Sequence, residues 1–329
     1  MSFFNKIFQQ EFISRKSWAI CVFVLTVIPF FAAADHSITN SSGPLGNFTQ
    51  LTIPIKRAQN LLLINATVNG QEGNFILDTG APNLVLNKTY FRNGKISEGT
   101  VAAGITGSGS DPVYHLKIDS LEIQELTFTS LTADIANLGH IEDSKGEKIL
   151  GLLGANLFTN LELELDLQNN VLYIYKLDAN GMRVASSTAN SATPSLRIPL
   201  EIQNSIIFIQ GFSAGKKVRF CLDTGAETNV LNNGVGNKVL GQFHLTNRCT
   251  LAGSGSNKVD VLCGELNELT IGNHIFHNVP AVLTSLSSLA AVYNTSLDGI
   301  LGYEFLSQGR VIINMKKKEL TMYFYQDQK

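Results

Sequence analysis

The chain has 329 residues, 44% hydrophobic and only 16% charged, with a formal net charge of −2. This composition excludes a disordered chain, and the near-neutral balance gives no electrostatic reason for a nucleic-acid or anionic-membrane partner. The length suits about two domains.

Near the N-terminus, Arg15 and Lys16 precede an apolar run from Trp18 to Ala34 that closes on small residues. The pattern reads as a signal peptide over residues 1–34, which implies export to a periplasm or to the outside. A membrane anchor at residues 18–34 is the alternative. With the signal removed, no membrane partner is expected. Residues 35–48 are small and polar and read as a flexible leader.

From there the chain repeats itself. Leu51-Thr52-Ile53-Pro54-Ile55 stands 27 positions before Asp78, and Leu196-Arg197-Ile198-Pro199-Leu200 stands 27 before Asp223. Within each unit a hairpin is expected. Asn69-Gly70 turns between Leu61–Val68 and the run ending at Asp78, and Ala214-Gly215 turns between Ile206–Phe212 and the run ending at Asp223. Further on, Gly107-Ser108-Gly109 matches Gly253-Ser254-Gly255, and Gly151-Leu152-Leu153-Gly154 matches Gly299-Ile300-Leu301-Gly302. Each unit closes with two alternating runs around a polar turn, within Leu161 to Leu177 and Val311 to Tyr325. Short helices are expected at Phe158 and Leu306. The offset is 145 from Asp78 to Asp223 and 148 from Gly151 to Gly299. Such a duplication fixes the architecture: an N-terminal lobe over 49–177, a linker rich in Ser, Ala, Thr and Asn over 178–195, and a C-terminal lobe over 196–329. Short, alternating, glycine-punctuated runs make the fold all-β, with two similar lobes and short helices.

The centre of each unit is an apolar strand stopping at a carboxylate: Phe75-Ile76-Leu77-Asp78-Thr79-Gly80-Ala81 and Phe220-Cys221-Leu222-Asp223-Thr224-Gly225-Ala226. Burying a carboxylate is costly and needs a reason. Two carboxylates brought face to face share one proton. The ionised member can then accept a proton from water while the protonated member donates to a carbonyl oxygen. Thr79 and Thr224 offer hydroxyls to tie the loops together, and Gly80 and Gly225 let the two backbones approach.

Both Leu-Asp-Thr-Gly-Ala stretches resemble the active-site loops of retropepsin-like aspartic proteases. The two Gly-apolar-apolar-Gly stretches resemble that family's supporting motif. The resemblance spans roughly Leu51 to Tyr325 and implies two acid-protease-type β-barrel lobes about a pseudo-twofold axis, as in pepsin-like enzymes. It implies an aspartic endopeptidase with Asp78 and Asp223 as the catalytic pair, an extended peptide or protein substrate in the inter-lobe cleft, and no cofactor or metal. It also implies flap tips at Gly107, Ser108 and Gly109 and at Gly253, Ser254 and Gly255. Pro82 and Glu227 depart from equivalence and point to unequal subsites. A monomer with intramolecular lobe pairing is expected. Pairing of each lobe with a second chain and a non-catalytic peptide-binding module are the alternatives.

An exported protein meets an oxidising compartment. If residues 253–256 form a hairpin tip, Cys249 and Cys263 sit opposite one another on one face and could form a disulfide; two buried thiols are the alternative. Cys221 is expected as a small core residue beside Asp223. His274 and His277 lack accompanying ligands and read as a surface pair rather than a zinc site.

Overall fold

Two-residue turns in the left-handed region start each half. Asn69 and Gly70 have φ of 48° and 81°, and Ala214 and Gly215 have 49° and 69°. Two successive positive φ values make the primed turn whose twist matches a right-handed hairpin. The hairpins are Leu61–Val68 with Gln71–Asp78, and Ile206–Ser213 with Lys216–Leu222. A computed structural model of the chain describes residues 22–24, 44–92, 96–101, 112–184, 193–252 and 258–325. Among these the fold is all-β with short helices, in two similar lobes about a pseudo-twofold axis.

Each hairpin carries its second strand into the interior, where Phe75, Ile76 and Leu77 are fully buried. Gly151–Gly154 then runs parallel to that strand, with Gly151 beside Phe75 and Gly154 beside Asp78. The second half repeats the register, Gly299 beside Phe220 and Leu301 beside Leu222. Glycine is required here by close approach: a Cβ on Gly151 would stand 2.1 Å from the Val85 carbonyl oxygen, and one on Gly299 2.4 Å from that of Val230.

A six-stranded sheet joins the halves. Its order is Leu196–Pro199, Glu319–Phe324, Gly309–Asn314, Leu161–Asp166, Val171–Lys176, Gln50–Pro54, three strands from each half. At the antiparallel centre Glu164 faces Ile312, its own repeat equivalent at an offset of 148, so the pseudo-twofold axis passes through this pair. Leu161, Leu163, Leu165, Val311 and Ile313 all enter one hydrophobic cluster that continues into both lobes. Two smaller clusters sit under the helices Gly139–Lys145 and Ser287–Tyr293.

Those two helices are not foreshadowed by a helical period. Each is a short turn ending on a left-handed residue, Gly146 at φ 65° and Asn294 at φ 49°. The helices expected near Phe158 and Leu306 are present as Ala155–Phe158, a 3₁₀ turn, and Tyr303–Leu306.

The leader and linker are less loose than composition suggests. Leu45 bridges to Thr127, and Phe48 is buried in the core. Arg183 bonds Glu162 Oε1 at 2.5 Å and Glu164 Oε2 at 2.7 Å and lies over the Tyr175 ring, fixing the first part of the linker beneath the joint sheet. Val22–Val24 pairs in parallel with Thr250–Ala252. The rest of the proposed signal or anchor lies outside the described residues.

Cys249 and Cys263 form a disulfide with Cα atoms 6.0 Å apart. The pairing geometry differs from the expectation. In the hairpin Phe243–Ala252 with Lys258–Ile271, Cys249 faces Val261 and Cys263 faces Asn247, so the bond is diagonal. The two cysteines still share a face, because they are an even number of residues apart. Cys221 is buried and unbonded, as a small core residue.

Candidate active site

The two interior strands deliver Asp78 and Asp223 to one place, both fully buried. Gly80 and Ala81 each donate a backbone N–H to Asp78 Oδ1 at 3.0 Å, and Gly225 donates to Asp223 Oδ1 at 2.8 Å. The Asp78 carboxyl acts directly on Asp223, lowering it against the effect of burial. Gly80 lies against the opposite carboxylate, where an added Cβ would come within 2.4 Å of Asp223 Oδ2. Burial pushes Asp223 up to about 6, opposed by donors from Gly225, Gly80 and Ala226 and by Asp78. A carboxyl that keeps its proton up to about pH 6 beside a second carboxyl can hold one shared proton and move another.

The threonines lock the loops reciprocally. Thr79 N–H donates to Thr224 Oγ1 and Thr224 N–H to Thr79 Oγ1, both at 3.0 Å. Thr79 Oγ1 donates to the Leu222 carbonyl and Thr224 Oγ1 to the Leu77 carbonyl, both at 2.8 Å. All four bonds are buried and cross between the lobes, so neither strand end can move without breaking a partner's bond. Behind the loops, Ala155 N–H donates to Ala81 O and Tyr303 N–H to Ala226 O. A Cβ on Gly154 or Gly302 would collide with the carbonyl oxygen of Asn83 or Ala226.

A second ring of contacts was not legible in the sequence. The Tyr293 hydroxyl crosses from the C-terminal lobe to donate to the Gly80 carbonyl at 2.9 Å. Lys145 crosses the other way, its side chain fully buried, to Glu227 Oε1 at 2.5 Å and to the Gln59 side chain. Asn60 N–H donates to Glu227 Oε2 at 3.3 Å. Lys145 and Tyr293 are repeat equivalents at the offset of 148, each the last residue of its helix. The signal that finds them is the following Gly146 or Asn294, a left-handed cap at the same offset. Thr228 Oγ1 and Asn229 N–H both donate to Glu304 Oε2 at 2.7 Å, steadying the far end of the second loop.

The hairpins that carry the flap candidates are braced differently. In the second lobe the disulfide lies along the hairpin. In the first, His115 stands at the repeat equivalent of Cys263 and meets Asp134 at 2.9 Å, with Asn83 extending the chain to the active loop. The hydrogen bond to Asp134 raises His115, and burial raises Asp134. The flap residues Gly107, Ser108, Gly109, Gly253, Ser254 and Gly255 themselves lie outside the described residues. His274 packs on the Phe276 and Phe324 rings. Among the described residues no three or more His, Cys, Asp or Glu side chains gather as a metal site.

A family model described as aspartyl protease matches residues 64–157 and again 209–305. Among solved structures, the aspartic proteinase from Irpex lacteus is similar, with 13% identity, coverage of 84% of this chain and 98% of that chain, and a TM-score of 0.49. No curated protein matches the chain.

Proposed function

The chain belongs to the aspartyl protease family, and on that premise we propose that it is a single-chain endopeptidase that hydrolyses peptide bonds with Asp78 and Asp223. The observation that carries the reading is the pair of fully buried carboxyl groups at equivalent strand ends, with the Gly80 loop packed against Asp223 and the two loops locked by the threonines. In this mechanism the ionised carboxylate takes a proton from a water lying between the pair. The protonated one donates to the scissile carbonyl oxygen; as the C–N bond breaks, the first passes the water's proton to the leaving amine and the second takes back a proton from the gem-diol, which restores the pair. The substrate lies extended in the inter-lobe cleft, held through its backbone. Export to an oxidising compartment remains part of the proposal, supported by the Cys249–Cys263 disulfide.

The test is digestion of an unfolded protein across pH 3 to 8, with and without a transition-state-mimicking aspartic protease inhibitor. Cleavage is expected below about pH 6 and is lost as pH rises past it, because Asp223 then gives up the proton the reaction needs. Cleavage that continues undiminished at pH 8, or that the inhibitor leaves untouched, rules the reading out. Gly80→Ala gives a second check. Its methyl must displace the Asp223 carboxylate, and kcat is expected to fall by about 10²-fold or more, as an ångström of misplacement costs at a reacting centre.

A further inference from the structure

Tyr293 bears on the pair through one peptide plane. Its hydroxyl donates to the carbonyl of Gly80 at 2.9 Å. The other end of that same rigid amide is the N–H of Ala81, which donates to Asp78 Oδ1 at 3.0 Å. The phenol, the amide and the carboxylate therefore form one hydrogen-bonded line, O–H to C=O, then N–H to carboxylate. Each bond in such a line polarises the next, and the amide cannot rotate away from Asp78 without breaking its bond to the phenol.

The phenol is built for this task. Tyr293 closes the helix Ser287–Tyr293, and its ring stands edge-on to Phe208 at 6.1 Å between centroids. The titratable groups facing it are Cys221, Asp223 and Asp78, with Arg219 acting on Cys221. Burial pushes both the phenol and the Cys221 thiol well up, so both keep their protons while the carboxyl pair titrates. The repeat does not duplicate the device. At the equivalent position Lys145 reaches past the second glycine loop to Glu227, so the backbone is symmetric and the hydrogen bonding is not.

We propose that Tyr293 is a positioning residue that holds the Gly80–Ala81 amide against Asp78, so that the pair is ionised more readily than its symmetric backbone alone would allow. This deepens the protease reading and rests on it for its meaning, but its test does not need substrate. The test is a titration of the aspartate carboxyls by ¹³C NMR in the full chain and in Tyr293→Phe, which keeps the ring and removes only the hydroxyl. The lower of the pair's two apparent pKa values is expected to rise by about 0.3 to 1 unit, the share of a charge-assisted hydrogen bond lost with its polarising donor. In a chain with 3-fluorotyrosine placed at position 293, a stronger donor that adds only one ortho fluorine to the ring, that value is expected to move down. This second arm decides the matter if Tyr293→Phe does not fold. In an active enzyme the acid limb of kcat/KM moves with the NMR value while KM stays within about twofold. Carboxyl titrations that superimpose in all three chains overturn the proposal, whether or not the protein cleaves. A loss of thermal stability in Tyr293→Phe without a shift in the titration also overturns it, because that is the result of packing alone.

Discussion

Asp78→Asn and Asp223→Asn are each expected to reduce cleavage by at least about 10³-fold, with the fold intact. The physical reason is that neither carboxyl does half the work. One must be ionised to accept the proton of water and the other protonated to donate, and the two roles are defined only while the groups share a proton. An asparagine keeps the shape and can still receive the backbone N–H groups that now point at Oδ1. Thermal stability is therefore expected to change little, or to rise at neutral pH where a buried charge is removed. Measured kcat/KM on a peptide substrate, alongside a thermal melt, checks both halves of the statement. A single variant that keeps more than a tenth of the activity would show that the two residues are not one site.

Lys145→Met is expected to destabilise the protein by about 3–5 kcal/mol, because it removes the buried ammonium that pairs with Glu227 across the lobe interface. The Lys145 and Glu227 side chains are 0% and 3% exposed, so water cannot take the place of the ammonium. With a sensitivity of about 2–4 °C per kcal/mol in chains of 150–250 residues, the melting temperature falls by roughly 6–20 °C. Lys145→Met combined with Glu227→Gln removes both charges and keeps an acceptor for the Asn60 N–H. That double variant is expected to recover more than half of the loss. A double-mutant cycle by denaturant melts separates the outcomes: additive losses would mean that the two side chains do not interact across the interface.

The legible features share one property, which is that a local run states them. A carboxylate closing an apolar strand twice in one chain, an Asn-Gly or Ala-Gly turn between apolar runs, and a Gly-apolar-apolar-Gly stretch are each complete within about ten residues. The missed features are those in which the partner is far along the chain. Lys145 sits on an exposed-looking Ser-Lys-Gly turn, and Tyr293 on Val-Tyr-Asn; neither segment shows where its side chain goes. The linker looked loose by composition, yet Arg183 is held by Glu162 and Glu164, whose alternation had marked only a strand. The disulfide was legible as a pairing and misjudged in register, because hairpin symmetry fixes the face a cysteine occupies but not which residue stands opposite.

The sequence by itself determined the duplication, the all-β character and the two strand ends at Asp78 and Asp223. Those follow from period and from the cost of placing charge after an apolar run, which act over a few residues. The tertiary structure alone decided which side chains cross between the lobes, giving a neutral phenol to the Gly80 loop and an ion pair to the Glu227 loop. That choice depends on two surfaces meeting with water excluded, where each polar group must find its partner among atoms that only the fold brings near.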